Sequence, residues 1–390
     1  MISAGAAGEA VIDQLPGGSG TARTGLVPAA AEPSDPLSNV DLRAAVPEAR
    51  TDSLRFAFEF PDLLAAFERD DAAAGRFRAL SRWTGLLSIL LVFLALLVAS
   101  ADHMLAFLDP NLHHGLRYFA AAAGPLGTAM GLWGLRRSAY RRRWIGARYR
   151  TEMLRLFHFR YLAARFPSVV AARGDPGLRE AYRQERADAL RKFRADFLSA
   201  DEEALAPVLE APERVALEWV VAAEPASPVP PEAAADLFAV WRKLRLEWQL
   251  GYCDSKLERG SIGFRTPRQQ EGLLSAISWL CIGAILLLHV AHFAEPWLHL
   301  KPSQVAFAQL LVVWIALLAL GIRALEGGLS PQREVERYEQ YRIRIKSMLK
   351  AMDDAESPSG KLEIVRAFER MSEDEMHLFI RTHVRSRFLL

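Results

Sequence analysis

The chain has 390 residues, 51% of them hydrophobic, and its 48 Lys+Arg nearly cancel its 46 Asp+Glu. This balance excludes a class defined by bulk charge, such as a wholly basic nucleic-acid binder, so the placement of charge carries the information. With two cysteines, Cys253 and Cys281, no disulfide framework or thiolate metal site is readable.

Residues 1–50 are rich in Gly, Ala, Ser and Pro and read as disordered; they lack the basic-then-apolar pattern of a cleavable signal peptide. Four charge-free apolar runs follow, 84–101, 118–135, 272–294 and 302–322. Each covers the roughly 30 Å hydrocarbon core of a bilayer at about 1.5 Å per residue, and in lipid a helix satisfies its own backbone over that distance. The expected fold is therefore an all-α membrane protein with four transmembrane helices. They form two hairpins around a helical cytosolic domain.

Arg76, Arg78 and Arg82 precede the first run, and ten arginines lie between Arg136 and Arg165 against the single acid Glu152. The hairpin loops are poor in base, which predicts an inner-membrane, multi-pass protein with both termini cytoplasmic. Arg136, Arg137, Arg141, Arg142 and Arg143 lie where anionic lipid head groups would meet them, each near-surface base contributing on the order of 1 kcal/mol. Gly124, Gly127, Thr128 and Gly131 give the second run a face suited to close helix packing, or to lining a pore, with Pro125 kinking the span. His103, His113 and His114 with Asp102 and Asp109 in the first loop are read as solvated, and His289 and His292 as shallow.

Periodicity predicts a helix over 144–166, with Trp144, Leu154, Phe157, Tyr161 and Leu162 on one face and arginines on the rest. A charged helix is predicted over 177–200, with Glu180, Arg183, Glu185, Arg186, Asp188 and Arg191 in surface pairs, then a turn into 201–210. A Pro-rich linker at 224–231 and one amphipathic helix over 233–257 come next. After the fourth run, Gly327–Gly328 and Pro331 are expected to break the chain before a helix over 332–352. Two helices follow, 361–370 and one opened by a capping box at Ser372 and Glu375. The domain divisions are 1–50, 51–165 (first hairpin with flanks), 166–231 (helical linker region), 232–352 (second hairpin with flanks) and 353–390.

The halves share an order, and a shift of 194 positions pairs Arg143 with Arg337, Trp144 with Tyr338, Arg148 with Arg342 and Arg150 with Arg344. Both hairpins run in the same direction, so a duplication would be a parallel repeat. On a helix Trp144, Arg148 and Glu152 form one stripe, in which Arg148 pairs with Glu152 while Trp144 sits at the membrane interface.

Trp144-Ile145, Arg148, Glu152 and Leu154 follow a W-I-x-x-R-x-x-x-E-x-L spacing directly after a two-helix hairpin. Over about residues 60–165 this resembles the SMODS- and SLOG-associating two-transmembrane effector (SLATT) family. In the second half Lys346 replaces the acid and Met348 the leucine, so that half is a divergent copy. The resemblance implies a bacterial membrane effector that perturbs or permeabilises the membrane when a linked sensor detects a nucleotide-type signal. This chain shows no such sensor, so a soluble partner would supply it.

No phosphate loop, dinucleotide fingerprint, zinc-protease motif or nucleophile elbow occurs. The expectation is a non-enzyme without metal or cofactor, with no nucleic-acid partner and with partners limited to lipid, its own copies and a sensor. Its function is expected to be that of an oligomeric effector or channel-like protein, the alternative being a non-conducting anchor or scaffold.

Overall fold

The computed structural model describes residue 42 and residues 53–101, 110–136, 139–198, 230–258, 263–294 and 302–385, all helix or short connection, with no strand among them. The expectations for 1–50, the first loop's His103 and its aspartates, 201–210, the linker up to residue 229 and the loop 295–301 lie outside the described residues.

Among the described residues twelve α-helices follow in order: α1 (Arg55–Phe58), α2 (Pro61–Ser100), α3 (Pro110–Arg136), α4 (Ala139–Ala164), α5 (Phe166–Ala172), α6 (Pro176–Phe197), α7 (Pro231–Trp241), α8 (Trp248–Leu257), α9 (Pro267–Phe293), α10 (Pro302–Leu329), α11 (Pro331–Asp354) and α12 (Pro358–Arg385). A π-helical segment, Arg242–Glu247, joins α7 to α8. Most of the longer helices open on proline, whose fixed φ suits the first helical position and whose missing N–H is no loss there. Asp175 caps α6 by accepting from the Gly177 and Leu178 N–H groups, and Thr266 with Gln269 forms a capping box on α9.

Among the described residues three helices are long and apolar enough to cross a membrane: α2, α9 and the apolar stretch of α10. The second predicted span lies on α3, which matches α9 in length, 27 residues each, but is diluted by glycine and alanine. At 40 residues α2 is about 60 Å long, so a single rod runs from the charged helices into the apolar layer. The four helices stand in a row, α3–α2–α10–α9, because α2 packs on both α3 and α10 while α9 packs on α10. Their outer faces are bare and apolar; Trp279, Leu280, Leu287 and Phe293 of α9 are each about 70% exposed or more.

The charged helices fold back into one apolar core with α4 at its centre. Residues 153–159 of α4 are all buried, so this helix lacks the arginine-coated outer face its periodicity predicts. Arg155 and His158 go inside with the apolar side chains. Arg186, expected in a surface pair, is also buried. It donates to the carbonyls of Phe56, Ala57 and Glu59, satisfying backbone that α1 is too short to pair.

Three further boundaries differ from expectation. The helix over 233–257 divides at the π segment, which shifts the register so that Leu244, Arg245 and Leu246 all face inward. α10 continues through Gly327–Gly328, and the chain turns at Ser330, whose φ of 48° is left-handed. The segments 361–370 and 372 onward are one helix, α12; Ser372 faces the Tyr341 hydroxyl at 3.3 Å and Glu375 pairs with Arg337, so neither caps anything.

Candidate functional site

The motif residues on α4 meet partners from two other helices, α2 and α12. Arg148 Nη2 lies 2.6 Å from Glu152 Oε1, and its Nη1 lies 3.3 Å from Asp71 on α2. The other Glu152 oxygen is 2.6 Å from Arg155, whose guanidinium stacks 5.1 Å above the Phe67 ring. Burial would raise the Glu152 carboxyl, but Arg148 and Arg155 outweigh it and hold it down to about 2. Arg150 reaches Asp70 at 3.0 Å, and Leu154 is wholly enclosed in the core.

Trp144 is placed differently from the interfacial position expected of it. It stands edge-on to His383 at 4.8 Å and to Phe379 at 5.8 Å, both on α12, with Arg78 of α2 over the ring at 5.9 Å. The indole is therefore a packing surface for α12, because that helix lies along α4 and covers the stripe.

Next to it the start of α11 carries Glu334 and Arg337. Arg337 pairs with Glu334 at 3.1 Å and with Glu375 of α12, and all three are largely buried. His383 Nε2 lies 3.1 Å from Glu334, and its Nδ1 lies 2.9 Å from the Phe379 carbonyl. Burial lowers the His383 pKa to about 4 despite Glu334, so near neutral pH the ring carries one proton and satisfies one of these contacts.

Deeper in the bundle Arg245, on the π segment, forms a bidentate pair with Glu369 of α12 through two 3.0 Å contacts. Both side chains are 2% exposed, and the guanidinium lies between the Phe159 and Phe368 rings. His158 is buried with neither ring nitrogen hydrogen-bonded; burial first, then Arg186 and Arg245, lower its pKa to about 3.

No family model matches this chain, and neither does any curated protein or solved structure. Geometry alone therefore speaks for the site.

In the membrane-side row, Gly124, Gly127 and Gly131 face α2. A Cβ on Gly127 would lie 2.9 Å from Leu91 and Val92, and one on Gly131 would lie 2.8 Å from Ser88 Oγ. Ser88 itself donates to the Gly127 carbonyl at 2.8 Å. Thr128 points outward and is exposed. Of the arginines expected at lipid head groups, Arg142 and Arg143 are exposed and Arg141 is half-buried, while the side chain of Arg136 and all of Arg137 lie outside the described residues. Arg143 stacks 5.8 Å over Phe77. No cluster of metal-ligating side chains occurs among the described residues.

Sequence reasoning found Arg148–Glu152 because i,i+4 spacing is local. It missed Asp71, Arg245, Glu334, Glu369, Glu375 and His383 as members of the network, since, the local Glu334–Arg337 pair apart, their partners come across helix–helix contacts. The one usable signal was the shift of 194 residues, which singled out Arg337 and Arg342.

Proposed function

We propose that this chain is a four-span integral membrane protein of two parallel hairpins, acting as an oligomeric membrane effector or channel-like protein controlled through its cytosolic helices. The observation that carries this reading is that the buried charge network is built on the helices that adjoin the apolar row, α2, α4 and α11. A change in the cytosolic bundle is thereby transmitted to the row.

Several features support the parts of this reading. α3 packs lengthwise on α2, with Ser88 bonded to Gly127, so it shares whatever medium surrounds α2. Trp83 on α2 and Trp133 on α3 are 65% and 56% exposed at the same end of that hairpin, as suits an interfacial belt. The repeat gains support from a paired contact: Arg342 of α11 lies 3.4 Å from Asp254 of α8, as Arg148 of α4 lies 3.3 Å from Asp71 of α2. Arg142 and Arg143 are exposed beside the row, where anionic lipid would meet them, and the SLATT resemblance suggests a soluble sensor as partner.

The anchor or scaffold reading has its own observation. The polar groups of the row are used in packing, Ser88 on Gly127 and the Trp314 indole on Ser100 Oγ at 3.0 Å, which leaves a single copy little to line a pore. Ion flux in proteoliposomes, with native mass spectrometry for stoichiometry, separates the two. Flux from an oligomer supports the effector; absence of flux in every lipid mixture tested removes conduction and leaves the anchor. Replacing Arg148 and Glu152 together by alanine is expected to disturb assembly more than insertion, and an unchanged oligomer size on gel filtration would overturn that.

A further inference from the structure

Among the described residues the two halves of the chain meet at several levels. In the apolar row α2 packs on α10. At the opposite end of α4, α5 meets α7 through stacked Phe166 and Phe238 rings 4.8 Å apart and through the Arg173–Asp236 ion pair at 2.5 Å. Between these levels α4 and α11 scarcely touch, and α12 occupies the space between them.

Along its length α12 alternates between the halves. Glu373 pairs with Arg160 of α4, and the Glu369 carbonyl accepts from Arg160 at 3.2 Å. The Glu369 carboxylate instead takes Arg245 of the second half. Further along, Glu375 takes Arg337 of α11, and Phe379 and His383 close on Trp144 of α4 while His383 also meets Glu334 of α11. We propose that α12 is a clamp that fixes the separation of α4 and α11, and that loosening it lets the two hairpins pivot about the α2–α10 contact.

The seam is mixed: Phe368, Met376 and Ile380 of α12 are buried in the common core, and beside them stand buried arginine–acid pairs, which regain hydration on both sides when parted. The seam is also incompletely satisfied: Arg337 Nε is buried without a hydrogen-bond partner, and Glu334 Oε1 faces His383 without a well-directed one. The link to α11 is short, residues 355–357, so α12 can swing there while α11 stays in place. Ser330, in its left-handed conformation, offers a second pivot where α10 meets α11.

This clamp needs the bundle geometry and not conduction, so its test reads distance and not flux. Nitroxides at the exposed positions Ala72 of α2 and Lys346 of α11, introduced as A72C and K346C into the full chain in nanodiscs, report the separation of the halves by electron–electron double resonance. Cys253 and Cys281 are buried and stay unlabelled. The unaltered clamp should give one narrow distance distribution. E373R should roughly double its width, and R160E with E373R should restore it, since the reversed pair re-forms. F379A, which removes the aromatic contact to Trp144 and the ring beside Arg337 while keeping every ion-pairing residue, should broaden it as well and carries the test should E373R fail to accumulate. An unchanged width in F379A and E373R would overturn the clamp, as would broadening by E373R that R160E fails to reverse. Loss of flux with these distances intact would count against the effector reading alone.

Discussion

The charged bundle and the apolar row are built from the same element, a long helix, yet they hold it in opposite ways. In the bundle residues 153–159 of α4 are all buried and the charges around them are wired inward: Glu152 between two arginines, Arg245 on Glu369, Arg337 between two acids. In the row α9 keeps one side on α10 and leaves Trp279, Leu280 and Leu287 bare. The difference follows from the solvent each face meets. Water drives apolar surface inward and makes an unpaired buried charge costly. Lipid gives no such drive between helices, so close backbone approach and a few polar contacts must hold them, as at Gly127 and Ser88.

Breaking one partner of a buried pair tests the bundle most severely. Arg245→Met leaves Glu369 buried without its cation and should cost about 3–5 kcal/mol in denaturant unfolding followed by tryptophan fluorescence. Adding Glu369→Leu should recover most of that loss; a double variant as unstable as the single would show that packing, and not the stranded charge, sets the cost.

The corresponding break in the row is steric. Gly127→Val forces a side chain against Leu91 and Val92 and should destabilise the α2–α3 pair by about 1–3 kcal/mol. Loss of an engineered disulfide across α2 and α3, with bundle unfolding unchanged, is the expected signature. Gly75, where an added Cβ would meet no atom within 4 Å, should instead tolerate alanine with a small gain.

Acid sharpens the comparison, because the titrating histidines with shifted values lie in the bundle. His158 and His383 have folded pKa values lowered to about 3 and about 4. Below pH 6.5 the unfolded chain binds protons that the folded bundle refuses, so stability is full above that pH and falls as pH drops towards those values. The slope is up to about 1.4 kcal/mol per pH unit for each histidine. Glu152 adds its own loss between its ordinary value and about 2. His158→Phe should flatten the dependence of the unfolding midpoint on pH between about 6 and 4, and an unaltered slope would show that His158 is not responsible. The smallest effect belongs to Trp314→Phe, which removes one hydrogen bond to Ser100 and should cost about 0.6 kcal/mol in the row.

What could be read from the chain depended on range. The apolar runs, the helical class and the Arg148–Glu152 pair were legible because each rests on neighbours within a turn or on length against a bilayer. Ser372 and Glu375 show the limit: the capping-box spacing is present, but a helix already running from Pro358 leaves no free end to cap. Trp144 shows it again, since an interfacial indole and one that receives another helix have the same local sequence.

By itself the sequence determined that this protein is helical, that long apolar helices dominate it, and where arginine accumulates beside them. These follow from the backbone's need for hydrogen bonds and from local spacing. Only the tertiary structure decided that α4 becomes a core, that α12 lies between the halves and that Arg245, Arg337 and Glu369 are buried. A charge enters an interior only when its partner arrives from elsewhere in the chain, and no local pattern records that arrival.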